Sequence, residues 1–281
     1  MKRFYILIFV IATFHNSFSQ EKKASKKVDY QFDGKISREV LENYLARSST
    51  FGSLLHLTLE DDLRMIRNTG VKFAGRAIWM WGGESKIDEL VRKGEPFAKK
   101  IHDIDPDIIL QGAIFEVVTK DINNVAIPES VFEEFGVPKK TRNFSYKAML
   151  YPFGHRHNHW SKDSSVPDMS RMETRMWFFY VAKRWIDMGI EAIHFGQVEI
   201  MDDWDRSHRH WRDLMKRIRD YAKKNARRHI VLSDAHVPSG GIVHSGNLMF
   251  DLHSFPSRPK SVKGKPYKAI LEKGFVGFTF N

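Results

Sequence analysis

Residues 189–205 read GIEAIHFGQVEIMDDWD, an apolar run with interleaved polar residues that ends in carboxylates. A buried strand has this pattern when its C-terminal tip lines an active site. Side chains along a strand alternate with period two, so Ile193, Phe195, Gln197 and Glu199 share one face and Glu199 stands at the strand's mouth. His194 falls on the opposite face, where the plain expectation is a histidine satisfied between sheet and helix.

The same kind of unit recurs along the chain. Helical spacing over 37–46 and from Thr58 through Arg67 precedes VKFAGRAIWMW (71–81), a buried strand running into Gly82, Gly83 and Glu84. A helix over 86–104 follows, with Pro96 as an internal kink. DIILQGAIFEVV (107–118) is the next strand, and its even face ends in Glu116. An acid is costly to bury unless paired, so Glu116 belongs at the polar strand end. Residues 119–169 hold a short helix near 130–135, a strand at 146–151 and a long loop with three alternating histidines. Ser170 to Glu173 reads as a capping box opening a helix that runs to Met188. After the central strand come a helix over 207–228, strands at 229–236 and 247–256, a short helix at 266–273 and a last strand at 275–280.

Strands separated by helices predict a parallel sheet in an α/β fold. At 281 residues, a (β/α)8 TIM-type barrel is the expected architecture, one form of it being a barrel incomplete at the C-terminus. A doubly wound open sheet is the alternative.

Residues 1–19 predict a signal peptide. Lys2 and Arg3 form the positive segment, 4–14 the apolar one, and Ser17 to Ser19 supply the small residues of a cleavage site before Gln20. The expectation is a secreted or periplasmic protein with a flexible leader over 20–35 and a single barrel domain over 36–281. The apolar segment is too short to span a bilayer, and no later stretch resembles a span. With no cysteine, disulfides, thiolate chemistry and a lipid anchor on cysteine are all excluded. Losing Lys2 and Arg3 lowers the net charge from +11 to +9. The excess is spread over 21–27 and the solvated face of the 207–228 helix, which favours general solubility, then an acidic partner, and nucleic acid last.

Three constellations are candidates for chemistry. Glu116 and Glu199 come from two strand ends, and two carboxylates flanking a glycosidic bond can divide the work of acid and nucleophile or base. The structural alternative pairs each with a rim arginine such as Arg76. Second, Asp234 with His236 and Asp251 with His253 are two Asp-x-His motifs on adjacent strands. They suit a divalent metal such as zinc, a carboxylate orienting a histidine, or a layer recognising sugar hydroxyls. No metal or other cofactor is required by the second or third of these. Third, the loop His155 to Trp160 offers His159 and Trp160 for substrate contact. Arg76, Trp81, Glu84, Gln197 and Asp202 fall at the same strand ends and complete the candidate substrate-binding set. The chain has neither a phosphate-cradling glycine motif nor a G-x-S-x-G elbow.

WIDMGIEAIHFGQVEI and IILQGAIFEVV resemble rim strands of the (β/α)8 glycoside hydrolases, over roughly residues 73–280. The resemblance implies a TIM barrel acting on a poly- or oligosaccharide through a strand-end carboxylate pair, and the basic balance of the chain includes an acidic saccharide among the candidate substrates. That family's large retaining clan places its acid/base glutamate after an asparagine, whereas here Glu199 follows Val198 and Glu116 follows Phe115. The same residues leave two other readings open, a metal-dependent hydrolase and a non-catalytic glycan-binding barrel.

Overall fold

A computed structural model describes residues 28–53, 55, 59–237, 240–253 and 257–273. The expected signal peptide, Thr58 and the expected strand at 275–280 lie outside the described residues. Six strands form one all-parallel sheet: β1 (Ser48–Thr50), β2 (Phe73–Ile78), β3 (Ile109–Ala113), β4 (Ala192–Gln197), β5 (Leu232–His236) and β6 (Leu252–His253). Their order in the sheet is their order in the chain. A doubly wound sheet reverses its strand order at a switch point, so the open-sheet alternative does not describe this topology. The curled sheet is a half-barrel compatible with an incomplete TIM-type barrel; among the described residues it holds six of the eight strands of a closed one.

The long connections carry helices: α1 (Arg38–Leu45), α2 (Leu59–Thr69), α3 (Ile87–Ile104), α4 (Met172–Asp187) and α5 (Arg209–Asn225). α5 shows why these segments are helical. Its buried residues Trp211, Leu214, Met215, Ile218 and Ala222 recur at three- and four-residue steps, forming one apolar stripe. Pro96 lies inside α3, which continues across it. α3 packs closely at Gly94, where a Cβ would sit 2.7 Å from Cδ1 of Ile78.

The alternation of side chains divides the interior in two. Outward-facing Leu110, Ile193, Phe195 and Ala235 join the main core under the helices. Inward-facing Phe73, Ile109, Ala192 and Leu232 form a separate cluster with Val40 and Tyr44 of α1, which closes the base of the half-barrel. Tyr30 and Phe32 pack edge-on against Tyr44, so this part of the expected leader lies on that base. Above the apolar layer, two residues further along each strand, stand Gly75, Gln111, His194 and Asp234. Such stacked layers of inward side chains characterise α/β barrels.

Several local expectations are corrected. The segment expected as a strand at 146–151 begins with a short helix, Tyr146–Met149, because the Ser145 hydroxyl accepts from the Ala148 amide. The capping box does not form: Glu173 instead accepts from both terminal nitrogens of Arg142 (2.6 and 2.9 Å) and from the Ser145 amide. The 247–256 strand divides into Asn247–Leu248, paired with Val243–His244, and β6. The helix expected at 266–273 is one arm of an antiparallel hairpin, Ser257–Val262 with Lys265–Lys273. Lys263 and Gly264 make its two-residue turn, with Gly264 at φ 72°.

Candidate functional site

The C-terminal ends of β1 to β5 surround a cavity of about 610 Å³. Its aromatic wall is made by Trp79, Trp81, Phe115 and Trp160, and Arg76, Glu116, His194, Gln197 and His236 bring polar groups to it. The rings brace one another. Phe115 meets Trp79 edge-on at 5.7 Å and Trp81 at 5.5 Å, and Trp81 meets Trp160 edge-on at 5.0 Å. The Trp79 indole N–H donates to the Gly52 carbonyl (2.7 Å) and that of Trp160 to the Glu116 carbonyl (2.9 Å). The wall is therefore fixed in position by hydrogen bonds as well as by packing.

Glu116 is buried, and its carboxylate is held by one residue. The Gln197 amide donates to Oε2 (2.9 Å) and the Gln197 side chain to Oε1 (2.7 Å). The approach depends on Gly196, whose φ of 61° ends the regular strand where the β4–β5 register shifts. A Cβ on Gly196 would overlap the Glu116 carboxylate. This irregularity also changes the expected face pattern. Ile193 and Phe195 turn toward the helices, His194 turns into the cavity, and Gln197 regains the interior only because Gly196 resets the alternation.

A buried polar layer lies under the cavity. Gln111 on β3 donates to Oδ1 of Asp234 on β5 (2.5 Å), and the other Asp234 oxygen lies 2.8 Å from Nδ1 of His194 on β4. Strands two apart in a flat sheet stand about 9.6 Å from each other, so this bond reflects the concave face. The Gln111 carbonyl oxygen accepts from the Arg76 amide (3.0 Å). Arg76 has φ 54° at a bulge in β2, and its guanidinium lies 5.5 Å from the Phe115 ring centre. The layer thus ties together four strands beneath one pocket.

Of the residues selected from sequence, Arg76, Trp81, Glu116, Trp160, Gln197 and His236 line this cavity, and Asp234 lies in the layer below. The others occupy different places. Glu199 is half-buried in the 3-10 turn Val198–Met201 that follows Gln197 and is not one of the lining residues. Glu84 is buried and accepts from the amide (2.7 Å) and hydroxyl (2.6 Å) of Thr119. Burial raises its pKa, and these two bonds only partly oppose the rise. His159 packs edge-on against Trp160 at 4.5 Å, and burial, then the charge of Arg156, lowers its pKa.

The two Asp-x-His motifs point in different directions. Asp251 accepts from the amide (2.8 Å) and hydroxyl (2.7 Å) of Ser233 on the outer face, with Arg219 of α5 at 3.6 Å. His253 places Nδ1 3.1 Å from the Ala235 carbonyl. Among the described residues, no three His, Asp or Glu side chains are grouped to hold a metal ion.

Asp202 belongs to a second polar cluster. Its Oδ2 lies 2.7 Å from Nδ1 of His208, while Oδ1 is buried without a hydrogen-bond partner. Burial, reinforced by Asp205, Asp168 and Asp203, pushes its carboxyl up to about 8. Burial likewise lowers the His208 imidazole, so the pair favours its neutral form.

His194, Gln111, Trp79 and Phe115 are site residues that sequence reasoning missed. Gly196 was the available signal, since an isolated glycine inside a strand pattern marks a bulge or a close approach. Among the described residues, no helix is long and apolar enough to cross a membrane.

No protein-family model matches this chain, and no curated protein matches it. Among solved structures, an acarbose-soaked debranching enzyme from Nostoc punctiforme is similar over 64% of this chain and 39% of its own, with 13% identity and a TM-score of 0.37. The chain therefore spans well under half of that enzyme's length.

Proposed function

We propose that this chain is a carbohydrate-active enzyme, a glycoside hydrolase that takes a poly- or oligosaccharide into the rim cavity. The observation that supports this reading is the pairing of a braced aromatic wall (Trp79, Trp81, Phe115 and Trp160) with buried hydrogen-bonding groups at one set of strand ends. Sugar rings offer apolar C–H faces and polar edges, and such a cavity meets both at once. Glu116 is the carboxylate offered to the reacting sugar, with its geometry held by Gln197. Glu199, in the turn after Gln197, is the candidate for the second carboxylate. Export with cleavage before Gln20 would bring the enzyme to substrates outside the cytoplasm.

The test is release of reducing ends from a panel of neutral and acidic polysaccharides by the wild type, Glu116→Gln and Glu199→Gln. Loss of turnover in Glu116→Gln with the fold retained supports the reading. Unchanged turnover in Glu199→Gln removes that residue from the mechanism.

One observation favours a second reading, a glycan-binding barrel without hydrolysis: Glu116 is the single carboxylate among the described lining residues. Saccharide binding in calorimetry without cleavage at high protein concentration would establish that reading instead.

A further inference from the structure

Outside the cavity, the most exposed large aromatic groups on the rim loops among the described residues are Phe153 and Trp204. Trp204 is 54% exposed and Phe153 fully exposed. Trp204 is nevertheless held in place from one side. The His155 imidazole stacks on it at 5.2 Å with an interplanar angle of 23°, and Tyr151 meets it edge-on at 5.1 Å. The support beneath is itself fixed. Asp203 holds Nε2 of His155 at 2.8 Å and is paired with Arg156. The Tyr151 hydroxyl accepts from the Asp203 amide (3.2 Å) and donates to the Ile200 carbonyl (3.1 Å).

Phe153 lies between Tyr151 and His155 at φ 57°, in the turn Pro152–Gly154. A non-glycine residue in this region costs of order 1 kcal/mol, and such residues cluster at ligand clamps. An aromatic ring held in a strained backbone yet turned wholly to solvent contributes nothing to the core.

Two connections join this surface to the cavity. The 150–160 loop carries His155 at its middle and the cavity residue Trp160 at its end; the chain leaving cavity residue Gln197 reaches Trp204 through the Val198–Met201 turn. A flat, pre-oriented indole with a carboxylate and a guanidinium in its own support has the chemistry that recognises a pyranose ring. Its C–H face stacks on the aromatic ring, and its hydroxyls reach the polar groups at the edge.

We propose that Trp204, with Phe153 on the adjoining loop, forms an outer saccharide platform that holds units of the chain lying beyond the cavity. The inference rests on the saccharide reading of the cavity and adds to it that the substrate is an extended chain. Affinity therefore grows with chain length, and the gain in the longer oligomers comes from Trp204.

The experiment is calorimetry on the purified protein with oligosaccharide ladders from cellulose, xylan, starch and pectin, from disaccharide to octasaccharide. The variants are Trp204→Ala, Trp204→Phe and Phe153→Ala, each with a melting curve. The wild type binds longer members of one ladder more tightly. Trp204→Ala loses on the order of tenfold for the long members, the equivalent of one good stacking contact, and little for the shortest. Trp204→Phe recovers part of the loss, Phe153→Ala shows a smaller length-dependent loss and unchanged melting because its ring is wholly exposed, and Trp204→Ala lowers melting only slightly because half of its ring faces solvent. Wild-type affinity independent of length, or a Trp204→Ala loss equal at every length, overturns the platform and leaves the cavity reading intact. Absence of wild-type binding to every ladder overturns both.

Discussion

The carboxylate of Glu116 occupies the space that a side chain at Gly196 would need; Glu116 follows the end of β3, and Gly196 lies in the neighbouring β4. Gly196→Ala is therefore expected to drive Glu116 off Gln197 and to force alanine into φ 61°. The backbone alone should cost about 1–3 kcal/mol. A lowered melting temperature together with lost saccharide binding is the expected result; a variant that melts and binds like the wild type would contradict the described geometry.

Gln111 is the hub of the polar layer. Gln111→Leu leaves both the Arg76 amide and one Asp234 oxygen without their partner. Buried groups stripped of a hydrogen bond cost about 1–3 kcal/mol each. Denaturant unfolding should show a destabilisation in that range or above, larger than that of Gln111→Glu if the acid arrives protonated and still donates to Asp234.

Asp202 makes stability depend on pH in a defined direction. Its folded carboxyl is pushed up to about 8, well above the ordinary aspartate value, by burial and by the neighbouring Asp205, Asp168 and Asp203. Across that window the folded chain keeps a proton that the unfolded chain releases, so this group's contribution to stability falls as pH rises. Asp202→Asn should remove that decline. Melting curves of wild type and variant between pH 4 and about 8 check it, with the stability difference expected to shift toward the variant at the alkaline end.

Glu191 should act with the opposite sign. Burial would raise its pKa, but the nearby His102 imidazole (3.6 Å) and the charges of Arg228 and Arg227 outweigh burial and hold it below its ordinary value. Arg228 lies at 2.8 Å and Arg227 at 2.9 Å. Its stabilisation is present above the ordinary glutamate pKa and disappears as pH falls through the depressed folded value. Glu191→Ala takes the carboxylate from Arg227 and Arg228, which keep their bonds to the Pro106 and Asp107 carbonyls and the Tyr44 hydroxyl, and is expected to cost about 3 kcal/mol at neutral pH. Chemical denaturation at pH 7 and under acid conditions separates the two effects, since the difference between variant and wild type should shrink in acid.

Long apolar periodicities made the sheet legible. The strands containing Ala74, Leu110, Ile193 and Leu232 were recognisable because each is a buried run, interrupted only at Arg76, and α5 because its stripe has helical spacing. β1 was not, since Ser48, Ser49 and Thr50 carry no apolar pattern and become a strand only by pairing with Phe73 to Gly75. The two Asp-x-His motifs look equivalent in sequence. They differ in space because Asp251 precedes the two-residue strand β6 and turns to Ser233, while Asp234 lies within β5.

Strand-end acids and aromatics led to much of the cavity, including Trp81, Glu116, Trp160 and Gln197. His194 was assigned to the wrong face because strict alternation was carried across Gly196, where the backbone abandons it. Glu173 was read as a helix cap because the local pattern fits one. Arg142, 31 positions away, offers a bidentate partner that no local window contains.

The spacing of the strands along the chain also bears on how the molecule assembles. β1 to β3 follow one another at short intervals, as do β4 to β6, but β3 ends at Ala113 and β4 begins only at Ala192. Pairing those two central strands must close by far the longest loop in the sheet, and closure entropy rises with loop length. Two three-stranded blocks are thus expected to form early and dock late. The polar layer is completed only at that docking step, because Gln111 stands on one side of the seam and Asp234 and His194 on the other. The site would then be among the last parts of the protein to exist during folding.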